Sequence, residues 1–115
     1  MSQRSQSGKT RRLIELARVI RSKNAGPFEL TFDIMFADAE IYERVKRSGV
    51  ISAELFAKLY AVPMDSVLSV HAFDPALSFK ATIARPISSG TAGDSDVFGA
   101  QQHAPLLDVE IPWDA

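Results

Sequence analysis

The segment FELTFDIMF, residues 28–36, constrains the fold of this chain more than any other stretch. Large apolar side chains stand at every second position, namely Phe28, Leu30, Phe32, Ile34 and Phe36. The positions between them hold Glu29, Thr31, Asp33 and Met35. This period of two is typical of a β-strand that buries its apolar side and keeps the other side polar. The chain is therefore expected to contain a sheet with one face in the core.

The residues before this strand follow a helical period instead. Apolar residues recur at helical spacing at Leu13, Leu16, Ala17 and Ile20. Thr10 is a suitable N-cap, so the pattern predicts a first helix that begins there. Pro27 has no N–H and disfavours helical geometry at Gly26, so the helix should end before this pair. The polar stretch RSKN, residues 21–24, is then expected at the end of the helix.

Two short helices and three strands are predicted after residue 36. Asp38 and Ser52 are N-cap residues; the first helix would close at Gly49 and the second would stop before Pro63. The segments VLSVHAF (67–73) and SFKATIAR (78–85) predict a β-hairpin, in which Leu68 shares a face with Val70 and Ala72. Residues 88–102 hold three of the six glycines and predict a long loop, and LLDVEI (106–111) predicts a last strand.

This order of elements predicts an α+β fold. We expect a single small domain with an antiparallel or mixed sheet of about four strands and three helices packed mainly on one face. Residues 1–9 are polar and lack apolar periodicity, so they are expected to be a disordered tail, and residues 10–115 form the domain.

Composition excludes several classes of function. The chain has 13 basic and 14 acidic residues, and this near balance predicts no nucleic-acid partner. It has no cysteine, so disulfides and thiolate metal sites are excluded. No apolar run is long enough for a signal peptide or a membrane span, which predicts a cytoplasmic protein without a membrane partner.

The RSKN stretch is the first candidate site. Arg21, Ser22, Lys23 and Asn24 offer several donors suited to a carboxylate or phosphate, and Arg can bind such a group with two parallel hydrogen bonds. The alternative is local, since cations and Asn at a helix end also satisfy the last carbonyl groups. Both interpretations remain open from the sequence.

The two histidines form the second candidate set. His103 follows Gln101 and Gln102 in GAQQHAPLL, where polar loop residues could line a ligand site, and His71 lies within a predicted strand. We take His103 and His71 as the candidate catalytic residues; an ordinary polar loop and a structural imidazole are the alternatives. A metal site would need both histidines to meet a carboxylate across long gaps, so no metal is predicted, and no cofactor is indicated.

The polar side of the predicted sheet carries charges that could pair. Asp33 alternates with the phenylalanines, and Lys80 and Arg85 come from the second strand of the hairpin. These charges could pair across a partner surface, or they could only keep the protein in solution.

Three blocks of the sequence carry a family resemblance. They are ELARVIRSKNAGPFELTFDIMF, HAFDPALSFKATIARP and DSDVFGAQQHAPLLDVEIP, and the resemblance that they carry covers residues 13–112. They resemble the family labelled Domain of Unknown Function 4387, whose members are similar to the small C-terminal portion, or a separate small companion, of acyclic terpene utilisation (AtuA) proteins. The resemblance implies no catalytic residue. It implies a two-part assembly that acts in the breakdown of carboxylic acids or their coenzyme A esters.

Three functions are therefore expected as alternatives. The favoured one is a small subunit that docks on a larger AtuA-like partner and helps to form a site for a carboxylate or an acyl-CoA. The second is a lyase or hydratase, alone or with a partner, that acts on a hydroxy or unsaturated carboxylic acid through His103 or His71. The third is a homo-oligomeric structural protein without a ligand.

Overall fold

A four-stranded antiparallel sheet is the centre of the computed structural model, which describes residues 9–26, 28–84 and 103–113. The elements in chain order are β1 (Thr10–Arg12), α1 (Leu13–Leu16), β2 (Val19–Asn24), β3 (Glu29–Met35), α2 (Ala39–Ser48), α3 (Ala53–Tyr60), β4 (Val67–Phe73), β5 (Ser78–Ala84) and β6 (Glu110–Pro112). The strands of the main sheet are arranged in the order β2, β3, β5, β4. This arrangement of three helices and antiparallel strands confirms the predicted α+β class.

The alternation in β3 gives the sheet two different faces. Phe32 lies opposite Ser22 of β2 and Ala81 of β5, and this row points into the core. The next residue, Asp33, lies opposite Arg21 and Lys80 on the other face. Since successive side chains of a strand point to opposite sides, one face is mainly apolar and the other is largely polar.

Helices α2 and α3 cover the apolar face. The Phe32 ring lies 5.2 Å from the ring of Phe56 in α3, measured between centroids. Tyr42 of α2 lies 5.4 Å from the ring of Phe79 in β5, and both Phe56 and Tyr42 are fully buried. Aromatic side chains of this size dominate the energy of a small core. The two helices are therefore fixed to the same side of the sheet, as predicted.

The predicted capping residues position both helices. The Asp38 carboxylate accepts hydrogen bonds from the N–H groups of Glu40 and Ile41, and the Ser52 hydroxyl accepts one from Leu55. Gly49 ends α2 with φ 72° and ψ 7°, a left-handed conformation that costs glycine little. These contacts confirm the predicted starts of α2 and α3 and the predicted end of α2.

A second, two-stranded sheet closes one end of the core. Strand β1 pairs with β6 in antiparallel register, with Arg11 opposite Ile111. The Leu13 N–H donates to the carbonyl of Val109, and Leu13 and Ile111 are fully buried. The segment before β6 is therefore part of the same core.

The predicted first helix is wrong beyond its first turn. Only Leu13–Leu16 is helical, and Thr10 belongs to β1 instead of capping the helix. Residues 19–24 form the edge strand β2, and the Arg18 N–H donates to the carbonyl of Met35 at 2.7 Å. Pairing with β3 satisfies the backbone of this segment and outweighs its helical spacing. RSKN is therefore in a strand, followed by the turn at Gly26.

Three smaller corrections concern strand ends. The last strand is Glu110–Pro112, not 106–111, because Ala104–Leu106 forms a 3-10 turn. Phe28 precedes β3 and is 56% exposed, so it is not part of the buried face. Leu68 is also exposed, because the pairing of β4 with β5 shifts between Val67 and Ser69.

Candidate anion-binding site on the open sheet face

The sheet face opposite α2 and α3, here called the open face, carries a row of charged side chains. Arg21, Asp33, Lys80 and His71 lie side by side across β2, β3, β5 and β4. A parallel row is formed by Lys23, Thr31, Thr82 and Ser69. Side chains opposite each other on neighbouring strands are close enough to interact directly. The register of the sheet therefore assembles groups that are far apart in the sequence.

Asp33 is the centre of the charged row. Its Oδ2 accepts a hydrogen bond from Arg21 Nε at 3.0 Å, and its Oδ1 accepts one from Lys80 Nζ at 2.6 Å. The Asp33 side chain is only 11% exposed, whereas those of Arg21 and Lys80 are 61% and 53% exposed. The two cations thus lie over the carboxylate while their own side chains remain in contact with solvent.

The environment of Asp33 changes its pKa. Burial alone would raise the pKa of this carboxyl, but the hydrogen bonds and positive charges of Lys80 and Arg21 outweigh burial and lower it below the ordinary value of 3.8. Asp33 is therefore ionised at neutral pH. It neutralises one of the two cations beside it, and the triad keeps a net charge of +1.

A groove of about 220 Å³ lies beside this triad on the open face. Its lining residues are Lys23, Ala25, Thr31, Phe32, Asp33, His71, Lys80, Ala81 and Thr82. Within the described part of the chain, the Lys23 ammonium and the His71 ring have no ion pair or side-chain hydrogen bond. These two groups are thus available for a ligand that enters the groove.

The structure brings together three of the predicted site residues and separates the others. Arg21, Lys23 and His71 share the open face, and Lys23 and His71 line one groove. Ser22 and Asn24 lie on the opposite face of β2, because strand residues alternate. The four residues of RSKN therefore do not converge on one ligand, as a helical turn would have allowed.

His103 is positioned by a different part of the fold. It precedes the Ala104–Leu106 turn and its carbonyl accepts a hydrogen bond from Leu106. This turn leads into the segment that pairs with α1, where the Ile14 N–H donates to the carbonyl of Leu107. Gln101, Gln102, Arg85 and the glycine-rich loop 88–102 lie outside the described residues.

A second polar cluster, not predicted from the sequence, lies at the helix side of the sheet. The Tyr42 hydroxyl donates to Asp74 Oδ1 at 2.5 Å, and Lys46 Nζ donates to the same oxygen at 2.9 Å. Burial and the Asp74 carboxylate raise the pKa of Tyr42, while the bonds from Tyr42 and Lys46 lower the pKa of Asp74. Tyr42 and Lys46 are four residues apart on α2, but nothing local indicates Asp74. The cluster joins α2 to the turn after β4.

Neither a metal-binding cluster nor a membrane-spanning helix is present in the described residues. No group of three or more histidine, aspartate or glutamate side chains is arranged to hold a metal ion there. None of the helices in ranges 9–26, 28–84 and 103–113 is long and apolar enough to cross a bilayer.

Comparison with known proteins gives a match to a family model. Neither the curated proteins nor the solved structures contain a significant match to this chain. A family model described as "Domain of unknown function (DUF4387)" matches residues 13–110, which include every strand of the main sheet and the whole groove lining. This match covers most of the 115 residues and confirms the resemblance carried by the three sequence blocks. The chain therefore belongs to the DUF4387 family.

Proposed function

We propose that this protein is an accessory subunit that docks on a larger AtuA-like partner and supplies part of a carboxylate-binding site. The observation that carries the proposal is the contrast between the two faces of the main sheet. The helices cover one face, while the other presents the Arg21, Asp33 and Lys80 triad beside a groove. A polar face that no helix of the described ranges covers is suited to recognition.

The open face combines two kinds of surface. At one end, the row of Val19, Met35, Ser78 and Phe73 is mainly apolar, and Phe73 is 50% exposed. At the middle and the other end lie the cations and the groove. Protein interfaces commonly contain an exposed aromatic anchor next to polar groups. We therefore assign Phe73 to docking and the groove to ligand binding.

Co-purification with an AtuA-like protein tests this proposal. The tagged chain and the larger protein, taken from one organism, are co-expressed and isolated through the tag. The wild-type chain is expected to retain the partner, and Phe73→Asp to lose it, because the charge would be buried in the interface. Lys58→Glu, an exposed change on α3, is the matched control and should retain the partner. Failure of the wild-type pair to co-purify would contradict docking.

His71 favours a second function, in which the assembly is a lyase or hydratase. Of the two candidate catalytic histidines, His71 lines the groove and has no side-chain partner among the described residues. An imidazole next to a bound acid could transfer a proton to or from it. If so, His71→Gln in the complex should lower kcat far more than KM for a hydroxy acid, while His103→Gln should not. Equal and small effects of both changes would exclude this role for His71.

A further inference from the structure

Some of the charged groups around the groove already have an ion-pair partner, and others do not. Four titratable side chains line it: Lys23, Asp33, His71 and Lys80. Lys80 is held by Asp33 at 2.6 Å, so much of its charge is already neutralised. Lys23 is the lining cation without an ion pair in the described ranges. A ligand would therefore meet Lys23 as an available cation beside a triad whose net charge is +1.

We infer that the groove takes the carboxylate of a small monocarboxylic acid, with Lys23 as its charge partner. The inference rests on the proposed function for its wider role, but the groove belongs to this chain alone.

The hydrogen-bonding groups of the groove suit a carboxylate. Thr82 lines the groove next to Thr31 on the neighbouring strand, and its hydroxyl can donate to a carboxylate oxygen. The Thr31 hydroxyl instead donates to the carbonyl of Lys23 at 3.3 Å, which links the two strands at this point. Lys23 and Thr82 thus line the groove with one charged and one neutral donor, and a carboxylate accepts hydrogen bonds from both kinds of group.

Asp33 does not repel an anion at the groove. Its carboxylate lines the groove and is ionised at neutral pH, because Lys80 and Arg21 hold its pKa below the ordinary value against the opposing effect of burial. Both cations donate hydrogen bonds to this carboxylate, so their charges more than offset its own. The net charge beside Lys23 is therefore positive, which favours a carboxylate.

The size of the groove also limits the ligand. Its volume of about 220 Å³ is below the range of roughly 300–1,000 Å³ that is usual for drug-sized ligands. Ala25 and the methyl groups of Thr31 and Thr82 give it apolar surface, which suits a short hydrocarbon chain.

Titration of the complete chain with matched small molecules tests the inference. Propionate, propionamide and inorganic phosphate are added separately, and amide and His71 ring shifts are followed by NMR. Propionate is expected to give saturable shifts at Lys23, Thr82 and His71 in the millimolar range. Lys23→Gln should weaken its binding about fivefold, whereas Lys58→Gln on α3 should not. Propionamide, which has the same shape without the charge, should not bind.

Asp33→Asn gives an independent measure of the charge at the groove. Removing this carboxylate leaves Lys80 and Arg21 without their common partner and should increase the affinity for both propionate and phosphate. The inference is overturned if propionate causes no saturable shift in the wild-type chain, if propionamide binds as tightly as propionate, or if Lys23→Gln binds propionate as the wild type does. None of these results depends on the larger partner, so failure of docking and failure of the groove are distinguished.

Discussion

Two neighbouring residues of β3 are both buried, but by different means. Phe32 is 1% exposed because helix α3 packs against its ring, and Asp33 is 8% exposed because Arg21 and Lys80 lie over it. The first kind of burial removes apolar surface from water, and the second exchanges water for charged partners that remain hydrated. The covered face therefore supplies most of the stability, while the open face keeps charged groups in contact with solvent, where a ligand can reach them.

The largest effect is expected on the covered face. Phe32→Ala should lower the free energy of unfolding by about 3–5 kcal/mol, because the cavity would lie among Phe56, Tyr60 and the sheet. Urea denaturation followed by circular dichroism measures this change. A loss smaller than that caused by replacing Asp33 would contradict the assignment of stability to the covered face.

A smaller effect is expected for the open face. Asp33→Asn removes the common partner of Arg21 and Lys80 and should cost about 1–2 kcal/mol, since both cations can return to solvent. Glu29→Gln is the matched control on the same strand; Glu29 is exposed at the strand's end, and its replacement should cost less than about 0.5 kcal/mol. Equal unfolding free energies for both variants would show that the triad adds nothing to stability.

The sequence predicts best the elements that have local signals. β3 has a period of two over its whole length, and α2 and α3 have N-caps whose hydrogen bonds are present. Residues 19–24 lack such a signal, because Ile20 fits either a helical or an extended period. Only their pairing with β3 decides the outcome, and that is a tertiary interaction.

The site was predictable as a set of residues but not as an arrangement. Residue type alone identifies Arg21, Lys23 and His71 as candidates. It also marks Asp33 and Lys80 as charges that could pair. Asp33 is 12 residues from Arg21 and 47 from Lys80, so their contact depends on the register of two strand pairs. The prediction that the side chains of Arg21 to Asn24 meet at one turn is wrong, because the strand places alternate residues on opposite faces.

Acid should destabilise the wild-type protein through two carboxylates, Asp33 and Asp74. The folded-state pKa of Asp33 is lowered, so its contribution to stability is complete well above the ordinary pKa of 3.8 and is lost as pH falls through the lowered value. The pKa of Asp74 is lowered as well, and its contribution has the same sign. Between about pH 5 and pH 3, Asp33→Asn should therefore lose less stability than the wild type does. The variant should still show the part of the loss that comes from protonation of Asp74. Parallel pH profiles of the two proteins would contradict this difference.

The smallest effect on stability is expected where the binding role is strongest. Lys23 is exposed and has no ion pair among residues 9–26, 28–84 and 103–113, so Lys23→Gln should change the free energy of unfolding by less than about 0.5 kcal/mol. Lys58→Gln on the helix side should behave alike in this measurement. If Lys23→Gln destabilises the fold as much as Asp33→Asn does, Lys23 has a structural role and the two faces are less distinct than their contacts indicate. If neither lysine change alters the free energy of unfolding, any difference between the two variants in propionate binding is due to the groove itself.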